Sequence, residues 1–421
     1  MPQHETNRNP DLDSSYREEP FEYSLRSQSV PENIGQEKEN VRFKTGKTKT
    51  LMLAVPLVLA FALALTWVVL YVHFKVGNAT NAQAFQKRFD ALCDSKNVHE
   101  AVLNVENSAG DFSESYGYGG RDIDSPMVIA SVTKLFTTAC VLRLVEDGRL
   151  SLDDKIGLYI DGELLKGLHV YKNTEYSFDI TVRDLLFQTS GLPDYFGHSD
   201  LVDDAIMNKD AYITFEQYVQ ETKQLSPRFA PNTGKAYYAD INFDLLGKIL
   251  EKITGLPLED IYRQFVFAPL GMKNTYLPVR GNDFVPYVYY GSKKLERPLF
   301  IASCRASGGC VSTARDMMVF IKAFWSGKLF GKTIIESLAN YKGLQLDMFP
   351  VEYGGGHMRV PLNGINTFFL AKGALVGHSG STGAFAFRCP EKDLFFVGDL
   401  SQFENPGAPI KFAMALAMVA K

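Results

Sequence analysis

The sequence predicts an α/β (α+β) domain carried behind one membrane-spanning helix. Hairpin patterns stand at both ends of the folded part, near 101–119 and 384–398, and mostly helical patterns fill 151–270 between them. Ahead of them, Leu51 to Phe74 is a run of 24 residues without Lys, Arg, Asp or Glu. A helix of that length spans a bilayer core of roughly 30 Å with room for tilt.

Composition sets the outer limits. The chain has 421 residues, 46% apolar and 22% charged, enough for a sizeable core. A formal net charge of -4 gives no reason to expect a nucleic-acid partner. Five scattered cysteines make neither a disulfide scaffold nor paired C-x-x-C metal ligands. Cys304 and Cys310 are close enough in sequence to bridge, though two separate buried thiols are the simpler reading. No H-E-x-x-H pattern occurs, so neither metal nor cofactor is expected.

Residues 1–50 are polar, with nine acidic and eight basic residues and no apolar period. Such a segment cannot bury enough surface to offset its ordering entropy and is expected to be a disordered tail. Arg42, Lys44, Lys47 and Lys49 precede the 51–74 helix and Lys75 follows it, which places the tail in the cytoplasm and residues beyond 75 outside, in the cell membrane as a type II protein. Trp67 and Tyr71 suit the far interface, and Pro56 is tolerable within a membrane helix. Asn78-Ala79-Thr80 fits a glycosylation acceptor.

Residues 75–98 read as a linker and a first helix over 82–92, and 99–421 as the main domain. Alternation over 101–106 predicts a strand whose hairpin partner is 115–119. A long apolar helix starts at Ser131 and is closed near Gly148. Thr181 and Asp184 form a capping-box pair for a short helix that ends at Gln188–Pro193. Helices are expected over 215–225, 243–254 and 314–325, a hairpin over 384–398, and a closing helix over 409–421.

The chemistry concentrates on Ser131-Val132-Thr133-Lys134. Residues i and i+3 share a helix face, so the Ser131 hydroxyl and the Lys134 amine meet, and a buried lysine is able to take a hydroxyl proton. By itself S-x-x-K is a frequent helix-surface pattern, and Ser131 reads equally as an N-cap. Tyr238 stands just before a helix start, in Tyr237-Tyr238-Ala239-Asp240-Ile241-Asn242, where a phenolate near a lysine serves as a general base. His378-Ser379-Gly380-Ser381-Thr382-Gly383 is a glycine-bearing strand edge that admits a substrate closely and aims an N–H at an oxyanion. His378 reads also as a structural histidine of the strand edge and Tyr238 as a packed core tyrosine; His357 reads as turn chemistry ahead of a place in a loop over the site, Cys140 as a small buried apolar residue, and Tyr287, Tyr289 and Tyr290 as substrate-contacting or packed loop aromatics.

These motifs resemble the serine β-lactamase-like and penicillin-binding-protein-like hydrolases of the class C type, over roughly residues 85–420. Tyr238-Ala239-Asp240 matches the family's Y-x-N, and His378-Ser379-Gly380 its K-T-G in the H-x-G form. LLFQTSGL (185–192) matches L-L-x-H-T-S-G-L with Gln188 in place of His, PLGMKNT (269–275) matches P-L-G-M-x-x-T, and ASGGCVST (306–313) matches A-G-G-L-x-S-T. The resemblance implies a β-lactamase/transpeptidase-like fold: an antiparallel sheet from N- and C-terminal strands, helices on both faces, and a mainly helical lobe holding Tyr238.

It also implies roles. Ser131 is acylated, Lys134 and Tyr238 manage its proton, and the Ser131 and Ser381 N–H groups form the oxyanion hole. Asp240 bonds near Lys134 or the substrate amide, and Gln188, His378 and Gly380 line the substrate side. A neutral histidine at 378 attracts a substrate carboxylate less than lysine does, and Asp240 in place of Asn acts in the same direction. The expected activity is a membrane-anchored D-alanyl-D-alanine carboxypeptidase-like or other amide hydrolase acting on a small-molecule, peptide or cell-wall substrate. An esterase of the same fold and a non-catalytic penicillin-binding sensor are the alternatives.

Overall fold

The computed structural model describes residues 80–421 apart from 280, 282, 365, 366 and 368–370. The tail, the 51–74 helix and Asn78 lie outside the described residues; among the described residues no helix is long and apolar enough to cross a membrane.

Helix α1 (Asn81–Cys93) opens on a capping box made by Thr80 and Gln83. Strand β1 (Ala101–Asn107) pairs antiparallel with β2 (Ser113–Tyr118). The helical lobe follows, with α2 (Lys134–Glu146), α3 (Val182–Leu186), α4 (Asp200–Met207), α5 (Phe215–Gln224), α6 (Ile241–Thr254), α7 (Pro298–Ser303) and α8 (Ala314–Ser326). The chain then returns to the sheet through β3 (Lys342–Gly343), β4 (Glu352–Tyr353), β5 (Met358–Pro361), β6 (Ala374–Ser379), β7 (Phe385–Cys389) and β8 (Leu394–Asp399), and ends in α9 (Ala408–Val419). The eight strands form one sheet in the order β2-β1-β8-β7-β6-β5-β4-β3, every neighbouring pair antiparallel.

Every residue of β8 is buried, which a strand covered on one face only does not achieve. Phe396 meets Phe85 of α1 with ring centroids 5.8 Å apart. Its neighbour Phe395 points the other way and lines a groove with Met318 and Lys322 of α8. Helices α1 and α9 therefore cover one face, and α8 the other, as the resemblance implied. Tyr238 lies in the helical lobe, immediately before α6.

Most element boundaries follow local signals. Thr181 and Asp184 make the capping box read from the sequence, and Gly255 closes α6 in the left-handed conformation at φ 72°. Strands β3 to β5 carried no usable pattern, being two to four residues long. All five cysteines are free, so Cys304 and Cys310 stay unpaired.

Candidate active site

Ser131 is not on an α-helix, as its spacing suggested, but in a 3-10 turn, Ala130–Thr133, that runs into α2 at Lys134. With three residues per turn, i and i+3 eclipse in such a turn. The strand-to-helix corner is tight: Ala130 has a positive φ of 42°, a conformation that side chains rarely adopt.

Lys134 is fully buried. Its ammonium carries three donors, and each finds an acceptor: Ser131 Oγ at 3.2 Å, Asp240 Oδ1 at 2.6 Å and the Ser307 carbonyl at 2.6 Å. The Tyr238 and Phe243 rings flank it at 5.1 and 5.5 Å from their centroids, a favourable arrangement for a desolvated cation. Three distant pieces of chain, 131–134, 238–243 and 307, thus meet at one nitrogen.

Tyr238 departs from the expectation of a resident phenolate. Burial, and then the Asp240 carboxylate, push its phenol well above the ordinary range, against a smaller downward pull from the Ser131 hydroxyl. Its hydroxyl has no hydrogen-bond partner of normal geometry among the described residues. A neutral phenol beside Ser131 is a proton donor in the resting site, and becomes a base only after it has given up that proton.

His378 also sits differently from the expectation. Its ring is fully buried, with Nδ1 2.7 Å from the Ser379 carbonyl and Nε2 3.3 Å from the Tyr353 hydroxyl. A carbonyl only accepts, so Nδ1 carries the hydrogen and Nε2 is the acceptor. Burial, and then Lys134, lower its pKa to about 3. The imidazole packs 6.0 Å from the Tyr238 ring and shapes the wall behind the tyrosine; it does not line the pocket.

Gln188 likewise stands behind the site. It adopts a positive φ of 59°, and its Oε1 accepts from the Ala239 N–H at 3.0 Å and from the Asn242 amide. Its own carbonyl accepts from the Tyr237 N–H at 2.9 Å. Gln188 therefore fixes the backbone that aims Tyr238 and Asp240, and makes no contact with the pocket space.

The opposite wall is the end of β6 and the turn after it. A Cβ on Gly380 would lie 2.4 Å from the Ile129 carbonyl oxygen, so glycine is what lets this strand edge close on the Ser131 turn. Thr382 Oγ1 donates to the Val128 carbonyl at 2.6 Å and completes the contact. Among the described residues no backbone carbonyl accepts from the Ser131 or the Ser381 N–H, and both residues line the same pocket.

The space in front of these residues, counted together with the open solvent at its mouth, is about 700 Å³. Beyond Ser131, Asp240, Ser381 and Thr382 its walls are mostly apolar, with Tyr195, Phe196, Val288, Leu295, Phe300 and Phe403 prominent. Asp194 was not singled out from the sequence, yet its Oδ1 accepts the Asp240 N–H at 3.0 Å. Burial, and then the neighbouring Asp240 carboxylate, hold its carboxyl well above the usual range. Its only sequence signal is its place directly after the TSGLP turn. The Ser307 carbonyl lies in the recognised ASGGCVST stretch, but no side-chain chemistry announces it. His357 is buried against Tyr341 and serves the packing. Tyr287 bonds to Glu100, away from the pocket. No cluster of metal-ligating side chains occurs among the described residues.

The model of the Beta-lactamase family matches residues 102–416. The chain belongs to that family. Its members are serine hydrolases that include peptidases, amidases, esterases and acyltransferases. Among curated relatives, Penicillin-binding protein 4* of Bacillus subtilis is 29% identical over 45% of this chain and 40% of its own length. Monacolin J acid methylbutanoyltransferase of Aspergillus terreus is 28% identical over 44% of this chain and 49% of its own length. The chain thus spans less than half the length of these relatives. The fold is that of a D-stereospecific amidohydrolase from Streptomyces sp., with a TM-score of 0.67 at 22% identity, covering 79% of this chain and 98% of that one.

Proposed function

We propose that the chain is a serine hydrolase that works through an acyl-enzyme on Ser131, with a peptide or amide substrate such as a D-Ala-D-Ala-type stem. The observation that carries this reading is the three-way contact of Lys134 with Ser131, Asp240 and the Ser307 carbonyl, at the head of a pocket lined by Ser131 and Ser381, whose N–H groups meet no backbone carbonyl among the described residues. Similarity to a penicillin-binding protein and to amide-cleaving enzymes of the same fold supports it.

In this reading Lys134 passes a proton to Asp240, 2.6 Å away, and its freed nitrogen accepts the Ser131 proton as Oγ bonds to the substrate carbonyl carbon. The oxyanion receives the Ser131 and Ser381 N–H groups. Tyr238, neutral in the resting site, donates its proton to the leaving nitrogen as the C–N bond breaks. The resulting phenolate takes a proton from water, and the hydroxide attacks the acyl carbon. Ser131 Oγ leaves with the Lys134 proton, and Asp240 returns its own to the lysine, which restores the start.

An ester substrate is the second reading, favoured by the apolar pocket and by the buried, uncharged His378. The membrane anchor and the extracytoplasmic position of the domain belong to the same proposal. They rest on the uncharged 51–74 run and the basic residues before it. Protease protection of sealed membrane vesicles tests that part, since an external domain is digested only where its own side is exposed.

The central test uses the full chain and its Ser131→Ala variant against D-amino-acid p-nitroanilides, p-nitrophenyl esters and a fluorescent penicillin. Turnover lost by at least about 10³-fold in the variant is expected. Amide turnover selects the first reading, and ester turnover alone the second. Hydrolysis untouched by Ser131→Ala refutes both, and stable penicillin labelling without turnover would identify a binding protein instead.

A further inference from the structure

Arg297 lines the active-site pocket at the start of α7, and no residue role assigned above uses it. Its guanidinium is held in place. Nε donates to the Ile206 carbonyl at 2.5 Å and Nη1 to the Glu296 carbonyl at 2.8 Å. Both acceptors are neutral, and Nη2 has no acceptor among the described residues. Several half-buried cations elsewhere do have carboxylate partners, as Arg121 has Asp399, Arg305 has Glu251 and Glu259, and Lys322 has Glu106. Arg297 makes no ion pair among the described residues. The one acidic residue lining the pocket is Asp240, whose Oδ1 is taken by Lys134. The nearby carboxylate of Asp210 is occupied in accepting the Leu299 and Phe300 N–H groups at 3.0 Å each.

A mostly apolar pocket therefore contains one fixed cation that makes no ion pair among the described residues. A half-buried charge is costly without a partner, and a guanidinium whose plane is already set loses little freedom on meeting a carboxylate. His378, at the position where the family resemblance placed carboxylate attraction, is neutral and out of reach, so this role is vacant on the β6 side. The pocket walls between Ser131 and Arg297 are aromatic and aliphatic side chains, which suit a hydrocarbon or aromatic spacer.

We propose that Arg297 is a specificity-determining residue that binds a carboxylate on the substrate, separated from the scissile carbonyl by an apolar segment. The inference rests on this pocket being the substrate site. It selects, within the amide and ester substrates considered above, those that carry an anionic end.

The test is binding of 3-phenylpropionate, 4-phenylbutyrate and 6-phenylhexanoate, each against its primary amide, to the full chain carrying Ser131→Ala, measured by titration calorimetry. At least one carboxylate is expected to bind about tenfold tighter than its amide. Arg297→Gln removes that preference and leaves amide binding within about twofold, and Arg297→Lys retains part of it. Equal binding of every acid and amide overturns the proposal, as does a preference that survives Arg297→Gln. Unchanged amide binding shows that the variant is folded. Because the readout is binding, it stands apart from the hydrolysis test: turnover with no carboxylate preference sinks only the Arg297 role. A preference without turnover leaves that role and removes the hydrolase reading.

Discussion

Position 380 is a point where one methyl group decides the geometry. A Cβ there meets the Ile129 carbonyl oxygen at 2.4 Å, so Gly380→Ala has to push the β6 edge away from the Ser131 turn. The displacement separates the Ser131 and Ser381 N–H groups, and misplacing a positioned group by an ångström costs on the order of 100-fold. Gly380→Ala is expected to lower kcat by that factor on any substrate turned over, with a much smaller change in urea unfolding midpoint. The meeting of Ser131, Lys134 and Tyr238 was legible because these residue types are rare at those spacings in combination. The partners were not. Asp194 acts through an oxygen that holds a backbone N–H, Ser307 through its carbonyl, and Arg297 through a charge left unpaired, and none of these leaves a mark in a one-dimensional pattern. His378 and Gln188 were found but misplaced, since a motif gives position along the chain and not the depth at which the side chain is buried.

Among the elements, the start of α6 matters most. Tyr238 and Asp240 precede it by three residues and one, and Asp240 gives α6 no side-chain cap. The segment is held from outside instead, by Gln188 at the left-handed end of α3. Gln188→Leu keeps the volume but leaves the buried Ala239 N–H and the Asn242 amide without their acceptor. An unpaired buried donor costs about 1–3 kcal/mol, so a loss of that size in urea denaturation is expected. It should be accompanied by equal falls in kcat and kcat/KM for substrates whose binding does not involve Tyr238. Helix ends such as the Thr181 capping box and Gly255 were readable because they are made by neighbours in sequence. The short strands β3 to β5 were not, because their pairing is set by β6 rather than by their own residues.

For the molecule as a whole, buried titratable groups couple stability to pH in two opposing directions. Burial raises Asp244, which accepts from the Tyr195 hydroxyl at 2.7 Å, to about 7 from an ordinary 3.8. The folded state then binds more protons than the unfolded one between these values, so this contribution to stability is lost as pH rises through 7. Burial lowers His357 to about 4 and His378 to about 3 from an ordinary 6.5. There the unfolded state binds more protons, so stability falls as pH drops from 6.5 toward 3. Asp244→Asn is accordingly expected to be more favourable relative to the parent at pH 8 than at pH 5 in paired urea titrations. An effect independent of pH would mean that Asp244 titrates alike in both states.

The sheet joins the two ends of the described chain: β1 lies between β2 and β8, with Val102 opposite Asp399. During synthesis the first strand therefore waits for a partner made about 300 residues later, which at ribosomal speeds is on the order of 15–60 s. Until then β1 and β2 form only a hairpin with an open edge, a template for mispairing. The active-site turn is exposed to the same delay, because Gly380 and Thr382 arrive only with β6 and the turn after it. A nascent or C-terminally truncated chain thus has Ser131 and Lys134 but lacks the wall that closes on them, so any acylating activity should switch on only when the last strands have been added.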